Sequence, residues 1–187
     1  MEQTGEYRIE APAAKVWQAL NDPEVLARSI DGCQSMERTG DNAFKAKVRA
    51  RVGPVSAVFD ADVTLSDIDP PRAYTLNGQV KGGPAGFGKG TARVELVEDG
   101  AATLLRYKVE GSVGGKLAQI GQRLIDAAAR KTADDFFATF AGIVAPAPRE
   151  APPAAAPAGV GRARIMWIVA AAVAAAAVAV AVALQSR

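Results

Sequence analysis

From Phe44 to Val52 apolar and basic side chains alternate without a break. The even positions read Phe, Ala, Val, Ala, Val, and the odd ones are Lys45, Lys47, Arg49 and Arg51. A two-residue period is that of a strand with one face buried and the other in water. The alternation resumes at Val55, where Val55, Ala57, Phe59, Ala61, Val63 and Leu65 oppose Ser56, Val58, Asp60, Asp62 and Thr64. Between the two runs, Gly53-Pro54 predicts a tight turn and therefore an antiparallel hairpin. Three more strands are predicted over 73–80, 88–97 and 102–113, bounded by Asp69-Pro70-Pro71, the glycine-rich segment 82–90, and the turn Glu98-Asp99-Gly100. Residues 4–10 alternate more weakly and read as a first strand.

Helical periods bracket these strands. Pro12 begins a short helix with Val16, Trp17 and Leu20 on one face, running to Asn21. Asp22-Pro23 then supplies an N-cap and a proline at the first helical position, opening a second helix through Ile30. From 116 to about 144 the stripe Leu117, Ile120, Leu124, Ala128, Phe136, Phe140 and Ile143 predicts one long helix. Strand, two short helices, about six antiparallel strands and a long helix argue an α+β fold, a curved antiparallel sheet gripping the C-terminal helix. Such a grip leaves a cavity between helix and sheet, and Phe59, Leu76, Val94, Leu105, Tyr107, Ile120, Leu124 and Phe140 are the apolar residues expected to face it. Phe87, in the glycine-rich segment, is a candidate plug at its mouth.

The last part of the chain changes the picture from a soluble domain to a tethered one. Residues 165–184, from Ile165 to Leu184, hold no charge, amide or hydroxyl. As a helix they would extend roughly 30 Å, the hydrocarbon thickness of a bilayer. Trp167 lies near the start, where an amphipathic ring meets headgroups, and Arg162 and Arg164 precede it. The expectation is a single-pass anchor over 162–187 in the inner (cytoplasmic) membrane, with the domain in the cytoplasm by the positive-inside bias. Segment 145–161 holds five prolines and predicts an extended linker, leaving a domain over 1–144. The opening MEQTGEYRIEAP has no apolar run, so no secretory leader is expected.

Charge needs the same division. From 145 onward there are four arginines and one glutamate, so residues 1–144 carry −1 although the whole chain carries +2. The basic pI belongs to the tail and gives no case for nucleic acid. Lys45, Lys47, Arg49 and Arg51 read either as a solvated sheet face or as a docking stripe for an acidic partner or anionic lipid.

The chain has no histidine and one cysteine, Cys33. That removes the commonest general base and metal ligand, and any Cys/His nucleophile. Neither catalytic nor metal-binding residues are expected. Gly83-Pro-Ala-Gly-Phe-Gly-Lys-Gly90 imitates a phosphate-binding loop, but it lacks the Ser or Thr after the lysine and leads into a strand instead of a helix.

Particular strings add a resemblance. Asp22-Pro-Glu-Val-Leu-Ala27 with Gly32-Cys33, Asp69-Pro-Pro-Arg72, Gly86-Phe-Gly-Lys-Gly90, and the run from Val113 to Ile125 followed by Phe136-Phe137 resemble the START-like (SRPBCC, Bet v 1-like, helix-grip) superfamily. More narrowly they resemble the CoxG family, the G-subunits of carbon monoxide dehydrogenase. Asp31 departs from that pattern, where a proline usually precedes Gly-Cys. The resemblance implies an accessory protein that associates with an aerobic molybdenum CO dehydrogenase, or a related hydroxylase, and docks it at the cytoplasmic membrane. No covalent cofactor is expected; a quinone or other apolar lipid is the expected cavity ligand, which would link the enzyme to the respiratory chain. A lipid or isoprenoid carrier with no dehydrogenase partner is the alternative, and a START-like cyclase a third.

Overall fold

The computed structural model describes residues 2–145; the expected linker beyond Ala145, and the expected anchor with Ile165, Trp167 and Leu184, lie outside the described residues. Seven strands form one antiparallel sheet: β1 (Glu2–Ile9), β2 (Cys33–Gly40), β3 (Ala43–Val52), β4 (Val55–Asp69), β5 (Ala73–Lys81), β6 (Phe87–Asp99) and β7 (Ala102–Gly114). Their order across the sheet is β1-β7-β6-β5-β4-β3-β2. Two helices, α1 (Ala13–Leu20) and α2 (Pro23–Ser29), connect β1 to β2, and α3 (Lys116–Gln119) and α4 (Gln122–Val144) follow β7. This is the α+β helix-grip arrangement. Among the described residues no helix is long and apolar enough to cross a membrane.

Local chemistry explains most boundaries. The Asp22 carboxylate accepts from the amides of Glu24 at 2.8 Å and Val25 at 3.4 Å, satisfying two orphan donors at the start of α2. In β3 the alternation is strict: Phe44, Ala46, Val48, Ala50 and Val52 are buried and the four basic residues exposed. The β3–β4 turn is Gly53-Pro54, with Val52 opposite Val55 and Gly53 at φ +55°.

Two elements differ from the sequence expectation. β2 forms where none is predicted, because CQSMERTG shows no alternation and most of its side chains are exposed. It is an edge strand held by pairing to β3. The long helix is broken: α3 ends at Gln119, and Gly121, at φ +89°, restarts the chain as α4. The buried face then runs through Ile125, Ala129 and Val144 in place of Leu124, Ala128 and Ile143, while Phe140 is buried as expected.

The interior holds two large apolar clusters, with a small third one of Ala92 and Val109 between β6 and β7. One, built on Val48, Val52, Phe59, Val80, Leu117 and Ile125, fills the end of the grip near the β3–β4 turn. The other joins Ile9, Val16, Leu20, Tyr74, Leu105 and Phe140 beneath α1. At the first end the backbone turns approach very closely. A Cβ on Gly86, at φ +120°, would sit 2.1 Å from the Gly114 carbonyl oxygen, whereas one on Gly100, at φ +63°, would meet nothing within 4 Å. Gly86→Ala should therefore destabilise the domain by about 3 kcal/mol and Gly100→Ala by about 1 kcal/mol in urea titrations, the excess at Gly86 being the backbone clash.

Candidate functional site

Between the two clusters the sheet and α4 do not close, leaving an apolar cavity of about 170 Å³. Its floor is two rows of side chains running across the strands on the concave face. One row is Leu65, Leu76, Ala92 and Val109; the other is Tyr74, Val94 and Tyr107. Ala133, Phe136 and Phe137 of α4 form the roof. Leu20, Leu26 and Ile30 wall it on the side of the short helices, and Met36 and Phe44 on the side of β2 and β3. Arg38 ties this wall together: its guanidinium donates to the Asn21 carbonyl at 2.6 Å and lies 5.1 Å from the Phe44 ring centre.

Aromatic rings dominate the roof. Phe137 stacks on Tyr7 at 4.2 Å, and Phe136 stands edge-on to Phe137 at 4.9 Å and stacks on Phe140 at 5.5 Å. The Tyr7 hydroxyl donates to Asp134 at 2.6 Å and so clamps β1 to α4. Burial, then that bond, pushes the Tyr7 phenol well above its ordinary pKa. Tyr107 lies over Gly5, where a Cβ would be 2.4 Å from its ring, and its hydroxyl accepts from Gln3 Nε2 at 3.2 Å.

Four of the expected cavity residues, Leu76, Val94, Leu105 and Tyr107, line the space. The other five do not. Phe59 faces the concave side but fills the apolar cluster at the far end. Ile120 packs against that same cluster, and Leu124 is 52% exposed, both displaced by the break at Gly121. Phe140 is 0% exposed, wholly enclosed in the cluster beneath α1. Phe87 is no plug: it is 53% exposed and lies over Gly114 on the outer face of the sheet, paired in β6 with Lys81 and Gly114. The segment Phe87–Gly90 is strand, preceded only by a single 3₁₀ turn at Gly83–Ala85. Residues that sequence reasoning leaves out of the lining include Tyr74, Ala92, Ala133, Phe136 and Phe137. Strand parity gives the face of the first two, but only the packing shows where bulk is missing.

The basic stripe is partly neutralised. Lys45 faces Asp62 at 3.7 Å and Lys47 faces Asp60 at 3.4 Å, as the register of β3 on β4 requires. Arg51 donates to the Gly53 carbonyl at 3.2 Å, and Arg49 stands opposite Val58. The same cross-strand pairing continues at the other edge, with Arg106 on Glu6 and Lys108 on Glu2, and Lys108 also meets Glu110 of its own strand. Exposed pairs of this kind contribute little to stability, and they make the outer face a mosaic of both signs.

Among the described residues no group of three His, Cys, Asp or Glu side chains is placed to hold a metal. The Cys33 thiol, half-buried, donates weakly to the Ser35 carbonyl at 3.4 Å, and burial raises its pKa. A thiol so placed is a poor nucleophile.

The sequence signature of CoxG, the carbon monoxide dehydrogenase G-subunit, matches residues 5–145. The chain belongs to this family. No curated protein matches it in sequence. Among solved structures, a conserved protein from Geobacillus kaustophilus is 31% identical, covers 77% of this chain and 95% of its own, and superposes with a TM-score of 0.71. Protein CV1439 from Chromobacterium violaceum is 15% identical over 79% of this chain and 99% of its own, with a TM-score of 0.55. The Zhui aromatase/cyclase from Streptomyces sp. R1128 is 14% identical over 77% and 93%, also with a TM-score of 0.55. The last two are likenesses of fold.

Asp31, in the turn before Gly32 and Cys33, is strained electrostatically. Its Oδ2 is sealed from solvent with no hydrogen-bond partner. Burial raises its pKa above the ordinary carboxylate range; the Gly32 amide and Lys131 oppose that shift, and Asp135 adds to it. A carboxyl whose folded pKa is raised holds its proton more tightly when folded, so its effect is most favourable at acid pH and worsens as pH rises through the folded value. Asp31→Asn should accordingly raise the urea midpoint at pH 7 and lose that advantage below about pH 4, near the unfolded carboxylate pKa.

Proposed function

We propose that this protein is a non-catalytic, membrane-tethered accessory protein that associates with an aerobic molybdenum CO dehydrogenase, or a related hydroxylase, and holds a quinone in its apolar cavity. The observation that carries the reading is the cavity itself, in a chain of the CoxG family. An enzyme that oxidises a small gas in water must pass electrons to carriers dissolved in lipid. A ring-walled apolar space on a tethered domain is a means of bringing such a carrier to it.

The size of the cavity sharpens the ligand. At about 170 Å³ it resembles the apolar cavities of about 150 Å³ that accept benzene. It is smaller than the roughly 300–1,000 Å³ typical of pockets that enclose a whole drug-sized molecule. A single quinone ring fits; an isoprenoid tail would have to trail outward. Phe136, Phe137 and Tyr107 offer aromatic faces for such a ring.

A lipid or isoprenoid carrier without a dehydrogenase partner is supported by the same cavity but leaves the family membership unused. The cyclase reading rests on likeness of fold to an aromatase/cyclase, and fold alone does not carry function.

Full-length protein extracted from native membranes should release a quinone on solvent extraction, identified by mass spectrometry. Ala92→Phe, which projects a ring into the floor of the cavity, should abolish that quinone while the melting temperature holds or rises. An empty wild-type cavity that also rejects added quinone would sink the ligand. The tether is tested separately: a chain truncated after Val144 should release the dehydrogenase into the soluble fraction of cell lysates, and a dehydrogenase that stays with the membrane would refute the docking role.

A further inference from the structure

We infer that Tyr74 is the polar fixture of this cavity, its hydroxyl donating a hydrogen bond to a carbonyl oxygen of the bound quinone ring. The inference rests on the quinone reading given above and adds the residue that orients the ligand.

Tyr74 is 5% exposed and stands on the cavity floor, in the row that runs through Val94 to Tyr107. Its neighbours are apolar: Val16, Leu20, Val94 and Leu105 share its cluster, and Trp17 meets its ring edge-on at 5.5 Å. Nothing in this setting satisfies a phenol. Buried tyrosine hydroxyls ordinarily find a partner, and Tyr7 and Tyr107 do so, on Asp134 and Gln3. Tyr74 has none among the described residues. Nor is its oxygen sealed in: the one sealed, unpartnered side-chain oxygen among those residues belongs to Asp31. The Tyr74 oxygen is therefore not sealed off, and the cavity is the space that this buried residue lines.

An apolar cavity with one free hydroxyl selects among ligands in a particular way. The hydrophobic walls accept any hydrocarbon of suitable size, whereas a donor left unmade favours a ligand that brings an acceptor. A quinone ring brings two carbonyl oxygens, and an isoprenoid hydrocarbon brings none. Burial also holds the Tyr74 phenol far above its usual pKa, so it remains a donor across the physiological range. The same residue explains how a cavity with otherwise greasy walls can fix one orientation of a flat ring. The edge-on Trp17 fixes the tyrosine ring, and the tyrosine hydroxyl fixes the ligand.

The test compares full-length wild type with Tyr74→Phe in detergent, using two probes. One is a benzoquinone bearing a single isoprenoid unit; the other is a hydrocarbon of the same skeleton without ring oxygens. Calorimetric titration should show Tyr74→Phe binding the quinone about tenfold more weakly, the loss expected of one hydrogen bond, with hydrocarbon affinity unchanged. Isotope-edited infrared spectra of a carbonyl-labelled quinone should show one carbonyl stretch lowered in the wild type and restored in the variant. Equal quinone affinity and equal carbonyl frequencies in the two proteins would overturn the assignment while leaving the quinone cavity standing. A wild type that binds the hydrocarbon but not the quinone would overturn the quinone reading itself, and this assignment with it. Stability supplies a further check, since removing an unpartnered hydroxyl should not lower the melting temperature. A clear drop would mean that the hydroxyl already has a partner inside the protein, and would also overturn the assignment.

Discussion

One geometric constraint organises this molecule: a single helix cannot cover seven strands. At about 4.8 Å per strand spacing the sheet is roughly 29 Å wide, and a helix with its side chains is only about 10–12 Å across. The sheet must curl until α4 packs on both β1 and β3. Side chains of the middle strands then have to fill the hollow that remains. Bulky residues do so at the ends of the grip, with Phe59, Leu117 and Ile125 at one and Ile9, Leu105 and Phe140 at the other. In between, Ala46, Ala92 and Ala133 line the gap and are too small to fill it. The cavity follows from that distribution of bulk.

How far the sequence reveals this depends on what each feature requires. Face is set by strand parity, so the alternation in β3 and β4 yields the hairpin, its turn and the concave side. Leu76, Val94, Leu105 and Tyr107 can be placed for the same reason. Position along the hollow is not a matter of parity, and Phe59 is therefore assigned to the right face and the wrong end. The helix residues fail differently. Gly121 restarts the helix, and one residue of phase exchanges Leu124 for Ile125 at the buried face. β2 is invisible because an exposed edge strand need not alternate; its neighbour holds it in place. Tyr74 reads in the sequence as one more strand aromatic, since the lack of a hydrogen-bond partner is a property of its surroundings.

The two faces of the sheet divide the chemistry. On the outer face many charges meet an opposite one across the strands, at Lys45 and Asp62, Lys47 and Asp60, Arg106 and Glu6. Lys45 and Lys47 of the expected docking stripe are among these pairs, so a partner reading that stripe would have to match a pattern of both signs. The inner face is uncharged and ring-walled, so what it can offer a guest is shape, dispersion and very few hydrogen bonds. That division suits the accessory role proposed above, in which the electron chemistry would belong to a partner enzyme.

The gap between the two apolar clusters has a mechanical meaning as well. Empty space inside a folded chain is volume that disappears when the chain unfolds, and hydrostatic pressure favours whichever state is smaller. An unoccupied domain of this kind is therefore compressible and pressure-sensitive in proportion to its void, and a guest ring would stiffen it by occupying that volume. Filling the cavity would thus alter the elasticity of the whole grip, and any partner closing around the domain would meet a softer body with the cavity empty than with it filled.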